Sequence, residues 1–382
     1  MLRLGSLLLA VALLAVVNTC ADAKMASGVS SNVDYGTYTF EMYLSDFGVS
    51  IKPSEHDRRK DIFHKELARV TTHNSKKMGW AEGINKFSHL TTDERKQQLH
   101  GRSKGMDLKH KPKHVKPLPV DFTMDAVEKL PPSVDWRGAG IVTAVKDQGS
   151  CGSCWAFAST SVMESHVAKA TGLLFDLSVT QMTACAPNLD SCGGTGGCQG
   201  STAELAFDYA ASSSGFLQEY QYPYANYYGV NSNCSLPSTS TVAGITGYVK
   251  LPENNYQALM NAVAKLGPIA VSVDASAWGS YSGGIFDGCN QENPDIDHAV
   301  VLVGYGEEDG QKYWLVRNSW SPLWGEKGYI RLARSDDEQA KCGSDVTPAS
   351  GTACAADLSP QKVCGTCGII FDSAYPTGAY VN

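Results

Sequence analysis

The sequence is short of long apolar runs. Beyond its first two dozen residues there is no stretch of ~18 or more uninterrupted apolar residues, which excludes a membrane-spanning helix in the body of the chain. Histidine is scarce after Leu130, where only His166 and His298 remain. Paired metal ligands are lacking as well. Cys151/Cys154 and Cys364/Cys367 each have finger-like spacing, but the two pairs are far apart in sequence and no further Cys or His pair joins either. No metal or other cofactor is expected. Internal repeats are absent, and 43% hydrophobic against 19% charged residues excludes disorder throughout. At ~150 residues per domain, the 382 residues make two or three folded units.

What is present begins with Leu7 to Val17, behind Arg3 and ahead of Ala21-Asp22-Ala23. A charged start, a short apolar middle and a small-x-small exit predict a secretory signal peptide over 1–23. Export to the secretory pathway follows, to a lysosome or vacuole or to the extracellular space, and with it an oxidising environment. Of twelve cysteines, removal of Cys20 leaves eleven, an odd number that suits five bridges and one free thiol. Charge is uneven: residues 24–129 carry 19 Lys+Arg against 14 Asp+Glu, while residues 130–382 carry 12 against 24. The basic charges are dispersed among acids, and an acidic partner exists on the same chain. The expected partner is therefore internal, with no nucleic acid and no membrane.

Residues 35 to 100 read as helical, with Phe40, Tyr43, Leu44 and Phe47 at i, i+3, i+4 and i+7 and the pattern continued by Ile62, Leu67 and Val70. Lys109 to Pro119, rich in Lys, His and Pro, reads as an extended linker. After Leu130 the composition turns to Gly, Ser, Tyr and Cys, with a helix start at Ser150-Cys151-Gly152 and strands at Ile269 to Val273, Ala299 to Val303 and Tyr313 to Arg317. That is an α+β pattern.

The stretch Gln148-Gly149-Ser150-Cys151-Gly152-Ser153-Cys154-Trp155 answers a specific chemical need. A thiol in the first turn of a helix feels the positive end of the helix dipole, which favours the nucleophilic thiolate. Cys154 is placed for that. Its base must be a histidine, and His166 sits twelve residues along the same helix, roughly 18 Å away at about 1.5 Å per residue. His298 remains. An imidazole base needs an orienting group, and Asn318 stands beside Trp320, which can shield that hydrogen bond. The backbone N–H of Cys154 and the side-chain amide of Gln148 are the candidate oxyanion donors.

At this point the chain resembles the papain-like cysteine proteases, whose local signature C-G-[SA]-C-[WY] it carries. Leu130-Pro131-Pro132-Ser133-Val134-Asp135-Trp136-Arg137 resembles that family's mature N-terminus. Asp297-His298-Ala299 with Val303-Gly304-Tyr305-Gly306 is similar to its histidine strand, and Asn318-Ser319-Trp320 with Trp324-Gly325-Glu326 to its asparagine loop. Upstream, Glu55, Arg59, Phe63, Val70, Asn74, Gly83, Asn85 and Phe87 resemble the propeptide motifs of the cathepsin L-like branch. Glu66 stands where the family has Asn, and His89 where it has Asp.

The resemblance implies an α+β fold with a helical left domain and a β-barrel-like right domain over 130–382, preceded by a helical inhibitory propeptide over 24–129. It implies a monomeric cysteine endopeptidase made as a zymogen, with polypeptide substrates and its own propeptide as inhibitor. The implied bridges are Cys151–Cys198, Cys185–Cys234 and Cys289–Cys367. Cys192, Cys342, Cys354 and Cys364 are left with three possible pairings, and the two extra bridges they form are expected to staple the insert from Cys342 to Cys364, which is longer than the family usually carries. Gly200 and Trp320 are placed along the substrate cleft. Thr202, Ala203, Ser272 and Ala299 would line the pocket for the side chain two positions before the cleaved bond, with Asp372 as an acidic floor open to Arg or Lys. Acid is expected to loosen the propeptide, although charging of its seven histidines would oppose release. Two rival readings are a catalytically inactive homologue acting as a binding or storage protein, against which Cys154 stands, and an exopeptidase. The carboxydipeptidase form of the latter needs paired histidines that are missing.

Overall fold

The structure, a computed structural model, describes residues 34–99, 113–119, 122–351, 353–354 and 359–382. The expected signal peptide lies outside them.

The N-terminal unit opens with α1 (Phe40–Asp46), capped by the Thr39 hydroxyl, which accepts from the Met42 amide at 3.1 Å. It continues through α2 (His56–Ser75). Phe40, Tyr43, Phe63, Val70 and Ile84 close a small core of their own. The expectation of helix throughout 35 to 100 is corrected. After α2 the chain forms strand β1 (Trp80–Glu82) and then α3 (Thr92–Leu99). The cause is tertiary, since Trp80–Glu82 pairs antiparallel with residues 281–284 of the following unit, covering an open sheet edge.

Beyond Leu130 come β2 (Val134–Asp135), α4 (Cys154–Thr171), α5 (Val179–Cys185) and α6 (Ala203–Ser212). From Cys154 to Ala168 every residue of α4 except His166 is buried, including Glu164, which is paired with Lys146 at 2.7 Å, as fits a helix that forms the axis of its lobe. Ser178 and Thr202 cap α5 and α6 by accepting backbone N–H bonds from Gln181 and Leu205.

The second lobe is built from β3 (Ala243–Gly244), β4 (Gly247–Lys250), α7 (Tyr256–Lys265), β5 (Ile269–Val273), β6 (Tyr281–Phe286), β7 (His298–Glu308), β8 (Gln311–Arg317) and β9 (Tyr329–Ala333). It is completed by β10 (Cys342–Asp345), β11 (Gln361–Cys364), β12 (Asp372–Thr377) and β13 (Tyr380–Val381). The large sheet runs β1-β6-β9-β8-β7-β5-β12-β4, with β2 on β7. Strand β7 divides two cores. Ala299, Val301 and Val303 enter the core around α4 and α6, while Val300, Leu302 and Tyr305 enter the one holding Trp278, Trp314 and Trp324. The two-residue alternation from Ala299 to Val303, with both faces buried, explains the unbroken apolar run, and the register shift against β8 past Leu302 puts Tyr305 on the side of Val300 and Leu302.

Disulfides join Cys151 to Cys198, Cys185 to Cys234 and Cys289 to Cys367. The pairing that the sequence left open is Cys192–Cys354 and Cys342–Cys364. Among the described residues Cys154 is the free cysteine.

Candidate active site

Cys154 is the first residue of α4 and His298 the first of β7, so a helix N-terminus and a strand start meet where the two cores touch. The backbone amides of Ala299 and Trp155 favour the Cys154 anion. Asn318 is delivered one residue past β8 and is held by its own N–H to Gly328 O at 2.9 Å. Its Oδ1 lies 2.8 Å from His298 Nε2 and also accepts from the Ser319 N–H at 2.8 Å. That second donor fixes the atom as the amide oxygen, so the proton on His298 resides on Nε2. The Trp320 ring, 4.8 Å from the imidazole between centroids and buried, shuts water out of this bond.

Gln148 is tied to the same loop, with Ser319 Oγ donating to its Oε1 at 2.6 Å. Its Nε2 donates at 2.8 Å to Cys151 O and at 2.8 Å to Leu99 O, the carbonyl at the end of α3. The N-terminal unit thus takes up the amide that the sequence assigns to an oxyanion. Lys86 Nζ reaches Asp147 at 2.5 Å and Lys96 Nζ reaches Asp295 at 3.4 Å, so cations of this unit meet acids on both sides of the cleft. Its outgoing segment lies along β4, with Lys116 N–H donating to Tyr248 O, and Asp208 accepts from the Lys113 and His114 amides at 2.9 and 2.8 Å.

The sequence expectation of a thiol biased toward thiolate does not describe this covered site. Burial pushes the Cys154 thiol up to about 11, outweighing the N–H groups that favour the anion. A neutral thiol under a covered cleft is a latent one. His166 bonds Pro268 O at 2.9 Å through Nε2, and burial lowers its pKa to about 4.

Ala299, Ser272 and Asp372 stand in one row across β7, β5 and β12, because Ser272 is registered with both of the others. Thr202 and Ala203 start α6, and Gly200 precedes them at φ +93°, a left-handed conformation that favours glycine. The carboxylate of Asp372 is not open as expected. Ser272 Oγ donates to it at 2.7 Å, and Lys250 Nζ lies at 3.2 Å from Asp372 and 3.5 Å from Glu204. Burial opposes ionisation of Asp372, yet Lys250 and these hydrogen bonds hold it below the usual range; burial and the Asp372 charge raise Glu204 instead. Sequence reasoning missed Lys250 and Glu204.

The two departures in the N-terminal unit also have definite surroundings. Burial opposes ionisation of Glu66, but Arg69 and Arg95, with the Ser280 hydroxyl bonded to it from the larger unit, keep its pKa at about 2. His89 Nδ1 lies 2.6 Å from Tyr43 Oη, and burial together with nearby Arg59 lowers its pKa to about 4.

Residues 130–352 match the family model described as papain family cysteine protease, and residues 40–94 that described as cathepsin propeptide inhibitor domain. A senescence-specific cysteine protease, SAG39 of Oryza sativa subsp. japonica, is 36% identical, with 92% of this chain and 97% of that protein covered. Cathepsin L of Sarcophaga peregrina is 35% identical over 75% of this chain and 83% of its own. Among solved structures, digestive procathepsin L2 proteinase from Tenebrio molitor larval midgut superimposes with a TM-score of 0.71 at 34% identity, covering 88% of this chain and 98% of that one. Carrying both the protease and its propeptide inhibitor domain, the chain belongs to the papain family of cysteine proteases and is a cysteine endopeptidase in its zymogen form.

Proposed function

We propose that this protein hydrolyses peptide bonds with Cys154 as nucleophile, His298 as base and acid, Asn318 as the group that orients the imidazole, and the Gln148 amide with the Cys154 N–H as oxyanion donors. The observation that carries this reading is the His298–Asn318 bond under Trp320, with the free thiol of Cys154 at the facing helix start. With Nε2 bonded to Asn318, His298 takes the thiol proton on Nδ1. The thiolate attacks the carbonyl carbon, and His298 returns the proton to the leaving amine as the C–N bond breaks. Water, deprotonated by His298, then cleaves the thioester, and the thiol is restored.

In this reading residues 24–129 are the inhibitory propeptide and cleavage after Lys129 frees the mature N-terminus. The protein enters the secretory pathway through residues 1–23 and acts in a lysosome or vacuole or outside the cell, as a monomer on polypeptide substrates. Leu99 O on Gln148 supports direct competition between propeptide and oxyanion. Peptide hydrolysis by the acid-activated protein tests the roles: His298→Ala is expected to lose roughly 10²–10⁴-fold in kcat/KM and Asn318→Ala less, since it removes orientation and not the proton acceptor. Equal activity of His298→Ala and wild type removes His298 from the mechanism.

The pocket row supports a preference for Leu or Phe over Arg two positions before the cleaved bond, because Lys250 already neutralises Asp372. Lys250→Met is expected to raise the Arg/Leu ratio of kcat/KM by about tenfold. The sign with pH follows from Glu204. Its raised pKa keeps it protonated in acid and adds a negative charge as pH rises, so the wild-type ratio climbs from near pH 5 to near pH 8. A ratio indifferent both to pH and to Lys250→Met places this cluster outside the pocket.

A further inference from the structure

Asn233-Cys234-Ser235 is the one run in the chain where an Asn is followed two residues later by Ser or Thr with no Pro between. In an exported protein this is the acceptor pattern for an N-linked oligosaccharide, provided it lies on the surface. The run falls within 231–240, which forms neither helix nor strand, and Asn233 and Ser235 are both exposed. Its main chain is held while the acceptor side chain is not. Tyr222 Oη donates to Asn233 O at 3.2 Å, and Cys234 is disulfide-bonded to Cys185 at the end of α5. Among the described residues no hydrogen bond engages the Asn233 side-chain amide.

Neighbouring Asn231 shows the contrast. Its Oδ1 accepts from the Cys198 N–H at 2.7 Å and its Nδ2 donates to Gln199 Oε1 at 2.6 Å, so that amide is used inside the fold. Around Asn233 large apolar side chains face water: Val230 and Leu236 on the same stretch, and Tyr220 on the turn that Gln221 Nε2 ties to Thr239 Oγ1 at 3.3 Å. A bulky, hydrated oligosaccharide on Asn233 keeps such a surface soluble.

We propose that Asn233 carries an N-linked oligosaccharide, transferred before the Cys185–Cys234 bridge closes. This rests on entry into the secretory pathway as read above. The donor is a polyprenyl-diphosphate-linked oligosaccharide: the Asn233 amide nitrogen forms a bond to the sugar C1, the C1–O bond to the diphosphate breaks, and the amide gives up one proton as the lipid diphosphate leaves. The bridge fixes the middle residue of the acceptor run, so order of events decides the outcome. At about 5–20 residues per second Ser235 follows Cys234 almost at once, whereas a disulfide spanning 49 residues takes seconds to hours to form. Transfer therefore leads, and chains whose bridge closes early escape it.

The test expresses the full chain in a eukaryotic cell, in a Cys154→Ser background that prevents self-digestion, beside residues 24–382 placed behind the host's own signal sequence. Peptide N-glycosidase is expected to shift the secreted protein by one glycan and to convert Asn233 to Asp, read by peptide mapping; Ser235→Ala is expected to lose the shift. Cys185→Ser/Cys234→Ser keeps the acceptor pattern and removes the bridge, and is expected to raise the glycosylated share. That share is read on intracellular as well as secreted protein, because transfer precedes folding. Unglycosylated protein secreted from both forms overturns the proposal, and an equal share with and without the bridge overturns its timing. Secretion only behind the host's signal sequence would instead overturn entry through residues 1–23, with the glycan still decided by the second form.

Discussion

Cys154→Ser is expected to fold and to accumulate as an unprocessed zymogen with at least about 10⁴-fold less peptidase activity than wild type after acid treatment. The hydroxyl has nearly the same shape and leaves the walls of the site intact, but His298 cannot generate a comparable nucleophile from it. Folding is expected to survive because the five disulfides do not involve residue 154 and the side chain sits at the very start of α4. Activity on a fluorogenic peptide is the measurement. Appreciable turnover by the variant would mean that another group attacks the carbonyl.

The second large effect is on acid release. A histidine whose folded pKa is about 4 against ~6.5 when unfolded penalises the folded propeptide as pH falls from about 6.5 toward 4, by up to about 3 kcal/mol. Its stability contribution is intact above 6.5 and lost in acid. The expectation that charging of propeptide histidines resists release is therefore reversed at His89. There the proton must enter a buried site beside Arg59 and disturb the contact with Tyr43. Glu66 and Glu94, both held down near 2, act lower: what they contribute is present above about 4.5 and disappears as pH falls through their folded pKa. In a Cys154→Ser background, which prevents self-digestion, His89→Asn is expected to flatten the thermal stability of the zymogen between pH 6.5 and 4.5 while leaving the loss below 4.5. An unchanged slope in that window would exclude His89 as the trigger.

The residues proposed as catalytic could be named from the sequence because each depends on local chemistry or on scarcity. The cysteine lies in a helix-start motif, and two histidines in the C-terminal 253 residues left little choice of base. The α+β pattern was legible for the same reason, as β5, β7 and β8 are long enough to show their apolar runs. Features that arise only when distant strands meet were hidden. Lys250 lies 122 residues from Asp372 and reaches it because β4 and β12 are neighbours. Among the described residues β1 has β6 as its strand partner, and it reads as part of a helix until that edge takes it up. The thiol's direction of shift was misjudged because a helix N-terminus is a property of sequence, whereas the burial that desolvates Cys154 is a property of the folded chain. Cys192 and Cys354, 162 residues apart, gave no local sign of their pairing.

Cys154 is proposed as the single reactive nucleophile, held latent by the propeptide. Iodoacetamide labelling at neutral pH, followed by peptide mapping before and after acid activation, tests both halves together. No label is expected on Cys154 in the zymogen and, after propeptide removal, one carbamidomethyl group on Cys154 in parallel with loss of peptidase activity. Rapid labelling of Cys154 in the intact zymogen, or full activity in the labelled mature enzyme, would contradict it.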